Sequence, residues 1–257
     1  MKFIRLMLSF VMILPILAFS VNAENDGAYG WYCKRAKNHA RPPLPGEFKF
    51  IEEYDCFYID PDPDEKVVYL TFDAGYENGN VEKTLDILKS NNVPGAFFIL
   101  SHIIKANPDI VRRMRDEGHT VCNHTATHKD LSRMQDYAVF SKELGDLEKI
   151  YKGEIGGEIS KYFRPPEGRF SLQTLSYAKE MGYKTIFWSF AYADWDNNNQ
   201  MSATAAKKKI MDNLHNGAVI LLHPTSAVNA EILDDVIKTI KQSGYRFGTL
   251  DELTSKI

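Results

Sequence analysis

From Lys66 onward, short apolar runs rich in β-branched and aromatic residues alternate with segments of helical spacing. The runs are "KVVYLTF", "GAFFIL", "HTVCN", "KYFR", "KTIFWSF", "AVILL" and "YRFGTL". No other feature restricts the fold as much. Strand, helix, strand repeated about seven times requires a parallel sheet with helices on its outer face, closed as a barrel or nearly so. The clearest helix carries Tyr137, Phe140, Leu144, Leu147 and Tyr151 at 3-4-3-4 spacing, which puts them all on one face. Asn80 and Ser171 stand where N-caps fall, and Gly118, Gly182, Gly217 and Gly244 where left-handed C-caps fall. With 257 residues, 44% of them hydrophobic, the chain can bury one full core, so a single domain over residues 66–257 is expected.

Residues 24–65, with "RPPLPGEF" and "DPDPDE", read as a Pro-rich arm packed on the barrel. Before it, Lys2 and Arg5, an apolar run broken by Pro15, and Val21-Asn22-Ala23 have the order of a secretory signal peptide over residues 1–23. Uncleaved, the same run would serve as a membrane anchor; either way an exported, extracytoplasmic protein is expected. Loss of Lys2 and Arg5 takes the net charge from −3 to −5. No basic run or basic helical face stands out, so a nucleic-acid partner is excluded. Cys33, Cys56 and Cys122 are odd in number; an exported chain permits a Cys33–Cys56 bridge with Cys122 as a core residue.

In such barrels, chemistry gathers at the C-terminal ends of strands. Polar residues do follow the apolar runs: Asp73, then His124, Arg164, Asp194 with Trp195, and His223. His124 and His128 are four apart, a spacing that lets two imidazoles meet one metal if the segment forms a helical turn, although it also arises by accident. Asp73 is either a cap for the turn at Gly75 and Gly79 or a partly desolvated general base. His223 is either a satisfied core histidine or, beside Asp194, an imidazolium acting as general acid. Arg164 is a salt-bridge partner, or it opens a loop stiffened by Pro165 and Pro166 that holds a main-chain N–H as an oxyanion donor.

Taken in order, Asp, His-x-x-x-His, Arg-Pro-Pro, Asp-Trp and Leu-His resemble the polysaccharide deacetylases of carbohydrate esterase family 4, the NodB-homology domain, over roughly residues 66–253. The resemblance implies an α/β fold of the distorted (β/α)7 barrel type and metal-dependent removal of acetyl groups from sugars. It makes Asp73 the catalytic base, Arg164 its partner, and His124 and His128 the ligands of a divalent cation, with zinc expected. It further implies the Glu167 N–H as oxyanion donor, His223 as the acid, Asp194 as the residue that tunes it, and Trp195 and Leu222 as walls of the acetyl pocket.

The family's first motif is Thr-Phe-Asp-Asp-Gly, whose second Asp is a third metal ligand; here that place is Ala74, so weaker metal binding is expected. "GYENGN", "HTATHKDL" and "DWDNNNQ" resemble a subgroup that deacetylates N-acetylmuramic acid in peptidoglycan after an amidase has removed the peptide. The freed amine then closes to muramic δ-lactam in spore cortex. On this reading the partner is a peptidoglycan glycan strand and the protein is a monomer; Arg169 either reads the lactyl carboxylate or is a solvated surface charge, and the amides of "DWDNNNQ" either meet sugar hydroxyls or are ordinary loop composition. Trp31 and Tyr32 either stack on sugars or pin the arm. A glycan-binding pseudoenzyme, a glucosamine or chitooligosaccharide deacetylase and an acetyl-xylan esterase are the alternatives.

Overall fold

The computed structural model describes residues 27–256, so the expected signal segment lies outside the described residues. Among the described residues the chain runs through β1 (Tyr29–Gly30), β2 (Cys56–Phe57), β3 (Val67–Ala74), α1 (Asn80–Asn91), β4 (Ala96–Ile99), α2 (Ser101–Ala106), α3 (Pro108–Asp116), β5 (Thr120–Asn123) and α4 (Tyr137–Glu154). It continues through β6 (Tyr162–Phe163), β7 (Arg169–Phe170), α5 (Leu172–Glu180), β8 (Lys184–Ile186), α6 (Ala203–Asp212), β9 (Ala218–Leu222), α7 (Ala227–Gln242), β10 (Arg246–Phe247) and α8 (Leu250–Thr254). All seven apolar runs are strands, and every strand pair of the main sheet is parallel.

The sheet runs β10-β3-β4-β5-β6-β8-β2, with β9 on the other edge of β3. It curls until its ends meet. Beyond Ile186 the chain leaves β2 and reaches β9, where Ser189 N–H donates to the Val219 carbonyl at 2.9 Å and Phe190 bridges Ile220. The fold is thus α/β, a distorted (β/α)7 barrel.

Strand alternation divides the core. Val68, Leu70, Phe72 and Ala74 of β3 face outward and pack with Val81, Leu85 and Leu88 of α1. Val67 and Tyr69 face inward with Phe98, Cys122, Ile186 and Val219, and α8 plugs that end with Leu250 and Leu253. On the inward side Asp73 comes next but one after Thr71, which carries it to the open C-terminal rim.

Helix ends follow local chemistry. Ser171 caps α5 through a reciprocal pair with Thr174. Asn80 is not a cap but the first residue of α1, behind Gly79 at φ +89°, and its side chain instead donates to the Thr225 carbonyl. Gly118, Gly182 and Gly244 follow their helices at positive φ, whereas Gly217 does not cap α6: that helix ends at Asp212, and Gly217 stands just before β9, against Asp60. On α4, Phe140, Leu144, Leu147 and Tyr151 are buried; Tyr137, on the first turn, is exposed and meets Tyr177 edge-on.

Residues 27–65 lie across the barrel. Trp31 stacks on Phe187 with ring centroids 4.4 Å apart, and its indole N–H donates to the Trp188 carbonyl, so it pins this segment. β1 pairs with β7, and β2 adds a strand to the barrel sheet beside β8. The Cys33–Cys56 bridge is not formed: the Cys33 thiol donates to the Trp188 carbonyl and that of Cys56 to the Tyr54 carbonyl. No helix among the described residues is long and apolar enough to cross a membrane.

Candidate active site

An open cleft of about 790 Å3 sits at the C-terminal rim, and Asp73, His124, His128, Glu167, Trp195 and His223 all line it. Residues spread over 150 positions of sequence thus share one cavity because the parallel strands all end there.

Arg164 follows β6 and is fully buried. Its guanidinium lies 4.1 Å above the Phe98 ring and donates to the Ile186 carbonyl (2.9 Å), to Thr71 Oγ1 (2.9 Å) and to Asp73 Oδ1 (2.7 Å). A buried guanidinium is tolerated only with its donors met and its charge paired, and Asp73 is the partner. Burial works against the charged form of Asp73, but Arg164 together with His124 and His223 outweighs it and holds the carboxyl below the ordinary carboxylate range. Asp73 is therefore ionised at neutral pH.

The Asp73 Oδ2 atom is 3.5 Å from His124 Nε2. The other nitrogen, Nδ1, is 2.7 Å from the Arg164 carbonyl, which only accepts, so Nδ1 carries the hydrogen and Nε2 keeps its lone pair. Burial brings the His124 pKa down to about 4 against the pull of Asp73, so the ring is neutral. His128 comes within 5.0 Å of it, centroid to centroid, at 70°. The expected helical turn is absent. Thr125 and His128 have φ of +75° and +61°, and the loop is tied by Asn123 Oδ1 to the Thr125 N–H and by Thr125 Oγ1 to the His128 N–H. These bonds, rather than helical periodicity, bring the rings together.

Asp194 is 2% exposed and collects three donors: the His223 N–H (2.8 Å), His223 Nδ1 (2.7 Å) and the Asn229 amide (2.5 Å). Asn229 in turn accepts from the Tyr192 hydroxyl. For His223, burial lowers the pKa, and the hydrogen bond and charge of Asp194, with Asp73 further off, reverse the shift and raise it. His223 thus favours the imidazolium, with Nδ1 committed to Asp194 and Nε2 left for the cleft.

Glu167 sits between Pro166 and Gly168 at φ +57°, its side chain exposed. Gly168, at φ +66°, lies so close to Trp188 that a Cβ would approach the ring to 2.7 Å, which brings this loop down onto the cleft. Trp195 is 63% exposed at the mouth. Leu222 is not in the wall. It is 1% exposed and faces the outer core beside Phe72, while Leu221, one residue earlier on the pleat, lines the cleft. Arg169 lies outside the lining, its charge met by Asp130 at 2.8 Å and Glu167 at 3.9 Å, so it is not the free cation expected of a carboxylate reader. In "DWDNNNQ", Gln200 turns inward to the Asp194 carbonyl, Ser226 and the Val228 N–H, and so clamps the loop instead of facing sugar. Asn229 and Tyr192 were not singled out from sequence; nothing in an amphipathic helix marks one buried asparagine as support for a distant aspartate.

Two imidazoles side by side are a donor set for a divalent cation. Among the described residues no third His, Cys, Asp or Glu joins them in a metal-holding group, and Ala74 is fully buried in the apolar layer. The pair fits a cation that takes its remaining ligands from water or substrate.

A barrel whose rim opposes an ionised carboxylate to a histidine biased toward its protonated form defines a hydrolase equipped with a base and an acid. Comparison with known proteins gives the family. The polysaccharide deacetylase model matches residues 60–186. Bacillus subtilis peptidoglycan-N-acetylmuramic acid deacetylase PdaA is 41% identical over 92% of this chain and 89% of its own, and its structure superposes with a TM-score of 0.86, at 39% identity over 91% and 99% of the two chains. A Bacillus cereus peptidoglycan-N-acetylglucosamine deacetylase is 32% identical over 81% of this chain and 76% of its own. The structure of BA3943, a family 4 pseudoenzyme from Bacillus anthracis, has a TM-score of 0.70 at 26% identity, covering 77% of this chain and 68% of its own. The chain belongs to the polysaccharide deacetylases, the family 4 carbohydrate esterases, and is a hydrolase acting on amide bonds.

Proposed function

We propose that the protein is an exported peptidoglycan deacetylase that acts on N-acetylmuramic acid residues of strands already stripped of peptide by an amidase. The product amine then closes on the lactyl carboxylate to give muramic δ-lactam, as in spore cortex. The single observation that carries the chemistry is the opposition, across one cleft, of Asp73 paired with Arg164 and His223 paired with Asp194. The substrate class rests on the likeness to PdaA.

The acetamide enters between the two groups, against Leu221 and Trp195. Asp73 takes a proton from a water molecule as its oxygen attacks the acetyl carbon. Negative charge gathers on the former carbonyl oxygen, for which the Glu167 N–H is the main-chain donor. Collapse breaks the C–N bond, and His223 Nε2 gives its proton to the departing nitrogen, without which an amine leaves poorly. A divalent cation, zinc in the first instance, held by His124 and His128, would polarise the acetyl carbonyl as a Lewis acid.

Mass spectrometry of amidase-treated peptidoglycan after incubation with the protein tests this. Loss of acetyl and appearance of lactam are expected. Unchanged strands in the presence of zinc, cobalt and manganese would leave a glycan-binding protein, a second reading that the two-imidazole ligand set favours. Loss of acetyl from glucosamine units alone would move the substrate to that of the Bacillus cereus relative.

A further inference from the structure

The cleft continues past the reacting groups. On the Trp195 side it opens into a second hollow of about 300 Å3, and the two share Trp188, Ala191, Tyr192 and Trp195. The far wall belongs to the N-terminal segment: Trp31, Tyr32, Cys33 and Arg35. This wall lies outside the stretch matched by the family model.

Its groups differ in kind. Trp31 is buried and forms the floor, whereas Tyr32 is 41% exposed, its ring steadied edge-on by Phe48 at 5.4 Å and its hydroxyl donating to Glu47. Trp195 offers a second exposed ring across the hollow. Arg35 lies 5.8 Å over the Phe190 ring and reaches the Ala191 carbonyl at 3.4 Å, and among the described residues no carboxylate pairs with it. Apolar ring faces match the C–H faces of a pyranose, and an unpaired guanidinium matches a carboxylate. Arg169, the arginine expected to do this from sequence, has its charge satisfied by Asp130 and Glu167.

We propose that the segment Trp31–Arg35, with Trp188 and Trp195, forms a second saccharide subsite for a sugar flanking the reacting one, and that Arg35 pairs with a carboxylate carried by the glycan. The inference rests on a glycan being the substrate, and it assigns the reading of anionic strands to the arm rather than to the barrel loops.

Titration calorimetry with peptide-free muramic tetrasaccharides tests it, one sample bearing lactyl carboxylates and the other with those carboxyls reduced to alcohols. The protein prefers the carboxylate form by about fivefold, the upper range for an exposed ion pair. Arg35→Gln abolishes the preference, Arg35→Lys keeps most of it, and Tyr32→Ala weakens both forms. Equal binding of the two forms, or a preference that survives Arg35→Gln, overturns the assignment, as does failure of both strands to bind. Acetate release is followed on the same samples. An Arg35-dependent preference without acetate release sustains the subsite and defeats the deacetylase reading, and acetate release with the preference indifferent to Arg35 does the reverse.

Discussion

Asp194→Asn isolates the device that biases His223 toward its protonated form. Asp194 is nearly inaccessible, and its oxygens receive two hydrogen bonds from His223 and one from Asn229. Asparagine keeps the shape but removes the charge and turns an NH2 toward donors that need an acceptor. A hydrogen bond to a charged group contributes about 1.5–3 kcal/mol. Losing the one to the imidazolium should therefore lower the deacetylation rate roughly 10- to 100-fold at pH values where protonation depends on Asp194. The sign follows from the raised pKa. His223 acts as an acid, so activity is full below that pKa and fades as pH climbs through it; without the carboxylate, burial outweighs the smaller pull of Asp73 and the basic limb moves to lower pH. The acidic limb belongs to Asp73 and should stay where it is. Acetate release from amidase-treated peptidoglycan across pH gives the profile, and a melting curve at each pH separates chemistry from unfolding, because an unmet buried donor costs about 1–3 kcal/mol, roughly 2–4 °C per kcal/mol in a chain of this size. A basic limb in the same place for both proteins would refute the assignment of His223 as a proton donor raised by Asp194.

Three further tests follow from the same geometry. Leu221→Ala and Leu222→Ala, both buried in β9, should each cost about 2–5 kcal/mol on denaturant unfolding, but only Leu221→Ala should alter the kinetics, with kcat of Leu222→Ala near its starting value; the opposite kinetic pattern would return Leu222 to the pocket wall. Arg164→Met strips Asp73 of its partner and should destabilise the fold by about 3–5 kcal/mol, with the melting deficit shrinking at acidic pH as Asp73 becomes protonated; a deficit independent of pH would place the cost in packing. Ala74→Asp puts a carboxylate into the outer apolar layer, so it should lower the melting temperature and leave zinc affinity unchanged in a calorimetric titration, and tighter binding would mean that position 74 turns toward the two histidines.

Much of this was legible in the sequence, because a parallel barrel converts chain order into position. Each apolar run predicts a strand, each strand end a place on the rim, and Asp73, His124, His128, Glu167, Trp195 and His223 do line one cleft. Errors came where position depends on something other than strand order. The family resemblance implies Leu222 as a wall, but the pleat sends alternate residues to opposite faces, and Leu221 has the inward parity. The histidine pair was read by helical spacing, whereas a left-handed loop tied by Asn123 and Thr125 brings the rings together. Arg169 carries the right charge on the right loop, yet Asp130, thirty-nine positions earlier, occupies it, and no local pattern reveals such a pairing.

The competing view, a protein that only binds glycan, has to account for the charges under the cleft. Binding a sugar needs aromatic faces and hydroxyl partners at the surface; it has no use for a fully buried guanidinium beneath an aspartate, or for an aspartate sealed beneath a histidine with an asparagine and a tyrosine behind it. Such groups are costly to desolvate, and apolar residues of similar volume would often give an equally stable barrel. What they do provide is opposite bias on two groups that face the same space, one carboxyl pushed toward its ionised form and one imidazole pushed toward its protonated form. That arrangement moves a proton from water to a leaving nitrogen in the course of one reaction, and the weakened ligand set around His124 and His128 bears on how tightly a cation is held rather than on whether the acid and base are present.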